Sequence, residues 1–214
     1  MIKAVIFDLD GVVVSTDRYH YLAWKKLSDR LGIYFDENIN MKLRGVSRME
    51  SLEIILRNSS RNYSDEEKEA FAAEKNETYR LSLNDLSGDD ILPGVLRLLD
   101  ELDKRKICKA IGSSSRNTMT ILDKIGLIDR FEVIIDGTMI KNSKPDPEVF
   151  SKAVMKLGLK PEECLVIEDA VAGIQAGHAA GCRTFALGDA NNCDLKDDGA
   201  DDLKDIDIEE LLEV

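Results

Sequence analysis

Apolar positions follow two different spacings along this chain, and the change between them divides it. Residues 4–7 (AVIF) are an unbroken apolar run that ends in DLDG, the pattern of a buried parallel strand with carboxylates at its C-terminal tip. From residue 15 to residue 86 the apolar residues recur at helical spacing instead. Residues 17–31 close on Gly32, the residue type expected just past a helix end. Ser47 with Glu50, and Ser64 with Glu67, are spaced as capping boxes, the second opening a long charged helix to about residue 83.

Beyond Asp90 strands and helices alternate. Pro93 and Gly94 open a helix to about residue 105, and residues 107–111 form a short strand running into Gly112, Ser113, Ser114 and Ser115. A helix from about residue 116 stops at Gly126, and residues 131–135 are the next strand. Asp146 and Pro147 read as the N-cap and first position of a helix ending near Gly158. Residues 164–167 and 183–187 are strands around a helix over 170–180, and 208–212 is a closing helix. Continuous apolar strands alternating with helices predict an α/β fold with a doubly wound parallel sheet. Its core comprises 1–14 and 87–214, and 15–86 is an inserted helical cap domain.

Composition narrows the partners. The 214 residues carry a formal net charge of −12, with 33% charged and 43% hydrophobic residues. So acidic a chain offers no general surface for nucleic acid or an anionic membrane, and any phosphate must be met by a local cluster of cations or a metal. No apolar run reaches the length of a membrane span, and a strand starts near residue 3 with no cationic leader before it, so a cytoplasmic protein is expected; a monomer is the default expectation, which no sequence feature sets. Cys108, Cys164 and Cys182 fall in or beside strands and Cys193 in a polar loop, without metal-type spacing, which predicts reduced structural thiols. The acidic stretch 189–214 reads as a solvated face.

The chemistry is concentrated at strand ends, where ligands gather in such sheets. Asp8 and Asp10 are two apart and point to one side of an extended backbone, so they repel unless a divalent cation or a shared proton stands between them. The next strand end brings Gly112 and three serines, a later loop Lys144 and Pro145, and a further strand end Glu168 and Asp169. Singly, these are an ordinary turn, a surface lysine and a helix cap. Together they are parts of a phosphoryl-transfer site: Asp8 and Asp169 to hold Mg²⁺, Ser113 and Lys144 to cradle phosphate oxygens, Asp8 to attack and Asp10 to move a proton. Two histidines in the whole chain leave little room for a hydrolytic triad.

DLDGV, the serine-bearing strand end, SKPDPEVF and VIEDAVAGIQAG resemble the four motifs of the haloacid dehalogenase superfamily and span most of the chain. The resemblance implies a Mg²⁺-dependent aspartyl-phosphate enzyme with Asp8 as nucleophile. It also implies that Asp10 is the general acid and base and offers its backbone carbonyl to the metal, and that Asp169 and Glu168 complete the metal site. A dehalogenase would not be expected to keep Asp10, which subtracts one activity of the superfamily.

The helical segment carries a second cluster. Arg44 and Arg48 flank Gly45, Val46 and Ser47 at a helix start that already favours anions. A phosphatase needs one phosphate cradle, whereas an enzyme acting on a bisphosphate needs two. The segment resembles the caps of the superfamily's hexose-phosphate mutases. That resemblance implies that Arg48, Ser115, Arg116 and Asn117 hold the phosphate that is not transferred, while Ser113, Ser114 and Lys144 hold the one that is. His20 and Lys75 would engage Asp10 on closure, Thr16 would lie near the hinge, and Trp24, Arg44 and Ser51 would face the sugar. The implied reaction interconverts β-glucose 1-phosphate and glucose 6-phosphate, with β-glucose 1,6-bisphosphate as activating intermediate. The alternative is a Mg²⁺-dependent sugar-phosphate phosphatase. Arg44 and Arg116 stand where lysine is familiar, and Ser143 where glycine is, so the sugar is less determined than the reaction type.

Overall fold

Strand β1 (Ala4–Phe7) is buried on both faces, and its alternate side chains enter different cores. Val5 and Phe7 join one apolar cluster and Ala4 and Ile6 another, as the two-residue repeat of an extended strand requires. A computed structural model describes residues 1–43 and 46–213. In it, β2 (Cys108–Gly112), β3 (Val133–Ile135), β4 (Cys164–Glu168), β5 (Arg183–Leu187) and β6 (Asp198–Ala200) complete one parallel sheet. The strand order is β3-β2-β1-β4-β5-β6, so the winding reverses between β1 and β4, the place where a doubly wound sheet opens a crevice.

Between β1 and β2 lie α1 (Asp17–Leu31), α2 (Glu37–Met41), α3 (Arg48–Leu56), α4 (Asp65–Ser82) and α5 (Val95–Arg105). Gly32 takes the left-handed conformation that ends α1, and Ser47 and Ser64 form the expected capping boxes with Glu50 and Glu67. Helices α1 to α4 enclose a core of their own, in which Trp24, Leu27, Leu52 and Ile55 are fully buried. Ala23, Tyr79, Leu83 and Leu86 instead pack into the cluster under the sheet, so the segment is anchored at its two ends.

Helices α5 and α6 (Thr118–Lys124) cover one face of the sheet. On the other lie α7 (Glu148–Leu157) and α8 (Val171–Ala179). Helix α7 starts at Glu148, one residue later than the Asp146–Pro147 pair suggested, although Asp146 Oδ1 still accepts the Glu148 N–H at 2.9 Å.

The C-terminal stretch departs further from expectation. It adds β6, which lacks an apolar run, and buries Leu203, Ile208 and Leu211, while α9 (Ile208–Glu213) is the closing helix expected there. Arg97 fastens it by donating to the carbonyls of Leu203, Lys204 and Ile206. Cys193 is buried beside Ile174, Ala186 and Ala190 rather than lying in a polar loop, and all four cysteines are free thiols. No helix among the described residues is long and apolar enough to cross a membrane.

Candidate active site

Strand register assembles the acidic end of the site. Phe7 pairs with both Ile111 and Ile167, so the next residue, Asp8, emerges level with Gly112 on one side and Glu168 on the other. Its N–H donates to Ile167 O at 3.0 Å. Lys144 arrives from the loop after β3, and its Nζ lies 2.5 Å from both Asp8 Oδ1 and Glu168 Oε1. Phe150 of α7 presents its ring 4.7 Å from the same ammonium. Far from a surface lysine, Lys144 is 2% exposed. Burial alone would lower its pKa, but the two carboxylates outweigh that and hold it above its ordinary value. Glu168 is pushed up to about 7, first by burial and then by the Asp8 charge, against the pull of Lys144.

Two glycines make room for these acids. At Gly11, where φ is +87°, an added Cβ would sit 2.0 Å from Asp169 Oδ2. At Gly173, in the first turn of α8, it would sit 1.9 Å from Glu168 Oε1. Neither position can carry a methyl group while the carboxylate keeps its place.

Asp8, Glu168 and Asp169 each bring a carboxylate oxygen to within 4.8 Å of the others. Hard oxygen donors in a cluster of this kind suit Mg²⁺. The Asp10 side chain is outside this cluster: Thr16 donates its hydroxyl to Asp10 Oδ1. Burial, with the Asp8 charge adding to it, pushes Asp10 up to about 7, while the Thr16 hydrogen bond and Lys75 pull the other way. The two aspartates of one motif therefore have separate partners.

The serine turn is folded by its own side chains. Ser113 Oγ accepts the Ser115 N–H at 3.1 Å, Ser115 Oγ accepts the Asn117 N–H at 3.2 Å, and Gly137 N–H donates to Ser115 O at 2.9 Å. Ser114 Oγ is buried with no hydrogen-bond partner.

Across from it, α4 buries Lys75 to 3% exposure, with Nζ 2.9 Å from His20 Nδ1 and above the rings of Trp24 (4.8 Å) and Tyr79 (4.7 Å). When Lys75 is the ammonium it can only donate, and His20 then accepts at Nδ1 as the neutral tautomer with its proton on Nε2. Burial, then the Lys75 and Arg48 charges, keep His20 well below its ordinary range. Burial and Arg48 bring Lys75 down to about 7, with Asp10 opposing. Arg48 is lowered too, by burial and by the Arg116 charge. Two like charges lining one cleft favour an anion there.

Asp8, Asp10, Lys144, Glu168, Asp169, Lys75, His20, Arg48 and Arg116 line one cleft of about 1020 Å³, whose wall also includes Thr16, Val46, Ser47, Ser51, Ser113 and Asn117. Arg44 and Gly45 lie outside the described residues. The sequence alone does not single out Tyr79 and Phe150, which shape the two lysine environments. Tyr79 stands four residues after Lys75, hence on the same face of α4, which is the only trace it leaves in the sequence.

This geometry has relatives. A β-phosphoglucomutase of Bacillus subtilis (strain 168) is 44% identical over 188 residues, covering 87% of this chain and 82% of its own. The crystal structure of a Clostridium difficile β-phosphoglucomutase superposes with a TM-score of 0.93 at 39% identity, covering 100% of this chain and 96% of that one. Hexitol phosphatase A of Escherichia coli (strain K12) is 32% identical, covering 86% of this chain and 82% of its own. Residues 2–181 match the model of the haloacid dehalogenase-like hydrolases. With Asp8, Lys144 and Glu168 joined at adjoining strand ends and that match running through all of them, the chain belongs to the haloacid dehalogenase-like hydrolase family.

Proposed function

We propose that the protein is a Mg²⁺-dependent β-phosphoglucomutase, interconverting β-glucose 1-phosphate and glucose 6-phosphate. The observation that carries this reading is the presence of two cationic seats in one cleft. Lys144 and Ser113 stand beside Asp8, and the Arg48–Arg116 pair stands apart from them. A sugar carrying a phosphate at each end occupies both seats at once, whichever end faces Asp8. The similarity to enzymes of that name in Bacillus subtilis and Clostridium difficile supports it.

In this reading Asp8 takes the phosphoryl group from β-glucose 1,6-bisphosphate, and Lys144 and Ser113 neutralise and orient its oxygens. Asp8, Glu168 and Asp169, with the Asp10 carbonyl, would hold Mg²⁺, which would supply the charge that lets a carboxylate approach an anionic phosphate. Asp10, steadied by Thr16, accepts the proton of the incoming 6-hydroxyl and returns it to the leaving oxygen. Arg48, Ser115, Arg116 and Asn117 hold the phosphate that is not reacting. Residues 15–86 act as a cap that closes over the sugar, and Trp24, Val46, Ser47 and Ser51 form its contact wall. Closure excludes the water that would turn transfer into hydrolysis.

The test is a coupled assay with Mg²⁺ and trace bisphosphate. β-Glucose 1-phosphate is expected to yield glucose 6-phosphate and the α anomer none. Steady phosphate release without isomerised sugar would overturn the reading in favour of a sugar-phosphate phosphatase, the activity named for the 32% identical Escherichia coli relative. Arg48→Ala separates the two. Loss of a charge-assisted contact to the distal phosphate is expected to cut isomerisation roughly 30- to 100-fold. Hydrolysis of a simple monophosphate is expected to stay within about twofold of wild type; equal losses in both would count against a second phosphate seat.

A further inference from the structure

Two side chains near the distal seat forgo their usual local roles. Asn117 is the residue preceding α6, where an asparagine side chain ordinarily caps the first turn, yet it makes no capping hydrogen bond. Its Nδ2 donates instead across the cleft to Asn76 Oδ1, at 3.1 Å. Asn76 lies in the interior of the 18-residue α4, where asparagine is a poor helix former and alanine a good one. Residues that break local preference on both sides of one contact mark that contact as functional rather than incidental.

The neighbours show what the contact joins. Asn117 is buried at the end of the serine turn, with its N–H on Ser115 Oγ, and Arg116 beside it lines the same cleft as Arg48. Asn76 directly follows Lys75, whose ammonium meets His20 on the Asp10 side of the cleft. Among the described residues the Asn76–Asn117 pair is a direct side-chain hydrogen bond between the helical segment and the sheet-side loop at this seat.

We infer that Asn76 is a positioning residue: its side-chain carbonyl holds the Asn117 amide and so ties the seat of the non-reacting phosphate to the helix that delivers Lys75. The inference rests on the mutase reading above. A phosphate on Asn117 fixes the amide, the amide holds Asn76, and α4 then brings Lys75 into place over Asp10. A sugar lacking the distal phosphate leaves this link loose. The bridge thus favours delivery of the phosphoryl group to a phosphorylated sugar rather than to water.

The experiment uses the Mg²⁺-loaded enzyme, wild type, Asn76→Ala, Asn117→Ala and the double variant. It measures glucose 6-phosphate formed and inorganic phosphate released per turnover at saturating β-glucose 1-phosphate. Asn76→Ala is expected to slow isomerisation about fivefold, the worth of one hydrogen bond, and to raise phosphate released per sugar isomerised by a similar factor. In the Asn117→Ala background the same change is expected to add less than about twofold, because the partner is already gone. Alanine suits a helix interior better than asparagine, so the melting temperature is expected to hold or rise, which a merely structural role for Asn76 would not produce. An unchanged release ratio, or an equal effect of Asn76→Ala in both backgrounds, would overturn the inference. Failure of the wild type to isomerise would instead overturn the mutase reading.

Discussion

Asp8→Asn is expected to abolish turnover, by about 10⁴-fold or more, and to leave no phosphoenzyme when the protein is mixed with Mg²⁺ and β-glucose 1,6-bisphosphate. The amide keeps the shape of the carboxylate but cannot attack phosphorus, and it is a poorer ligand for a hard cation. The fold should survive, because Lys144 keeps Glu168 at 2.5 Å and is not left unpaired. Removing one of its two ion-pair partners should cost about 1–2 kcal/mol, against the 3–5 kcal/mol of stranding a buried charge. Intact-mass measurement after a rapid quench, beside a thermal melt, checks both parts. A phosphorylated Asp8→Asn protein would remove Asp8 from its assigned role.

Asp10→Asn is the second large effect. Asparagine still offers an oxygen to the Thr16 hydroxyl, so the local geometry is retained while the proton acceptor is lost. General acid–base catalysis of this kind is worth roughly 10²–10⁴-fold, and phosphoryl transfer in both directions should fall by that amount. The sign of the pH dependence follows from burial, which pushes Asp10 up to about 7. The deprotonated form must take the sugar hydroxyl proton, so the wild-type rate falls as pH drops through that pKa. A divalent cation beside Asp8 favours the charged form and moves the acidic limb lower. The limb should be absent in Asp10→Asn; stopped-flow rates across pH 5 to 9 would show it, and a persisting limb would assign it to another group.

Much of the core was legible because its signals are local. The AVIF run, Gly32 after α1 and the two serine capping boxes each depend on a few adjacent residues, and the structure keeps all of them. Strand β6 was not legible, since Asp198–Ala200 holds no apolar run and its pairing rests on distant contacts, Asp197 bonding Thr184 of β5 and Arg97 holding the Leu203 carbonyl. At the site, residues at strand ends could be assigned to one crevice from topology alone. Which acid pairs with which base depends on register and helix rotation, and these are long-range outcomes. Thr16 was placed only near a hinge, although it is the hydroxyl that holds Asp10. Tyr79, Phe150 and the Asn76–Asn117 bridge were invisible for the same reason.

The rings around Lys75 give the protein a built-in optical reporter. Trp24 is the only tryptophan in the chain, it is buried, and its indole lies 4.8 Å from the Lys75 ammonium. All indole emission therefore originates at one wall of the cleft, beside a cation whose charge is finely balanced near neutrality. Intrinsic fluorescence reads the electrostatics of this wall in the unlabelled enzyme, and each of the variants above can be followed in solution without adding a dye.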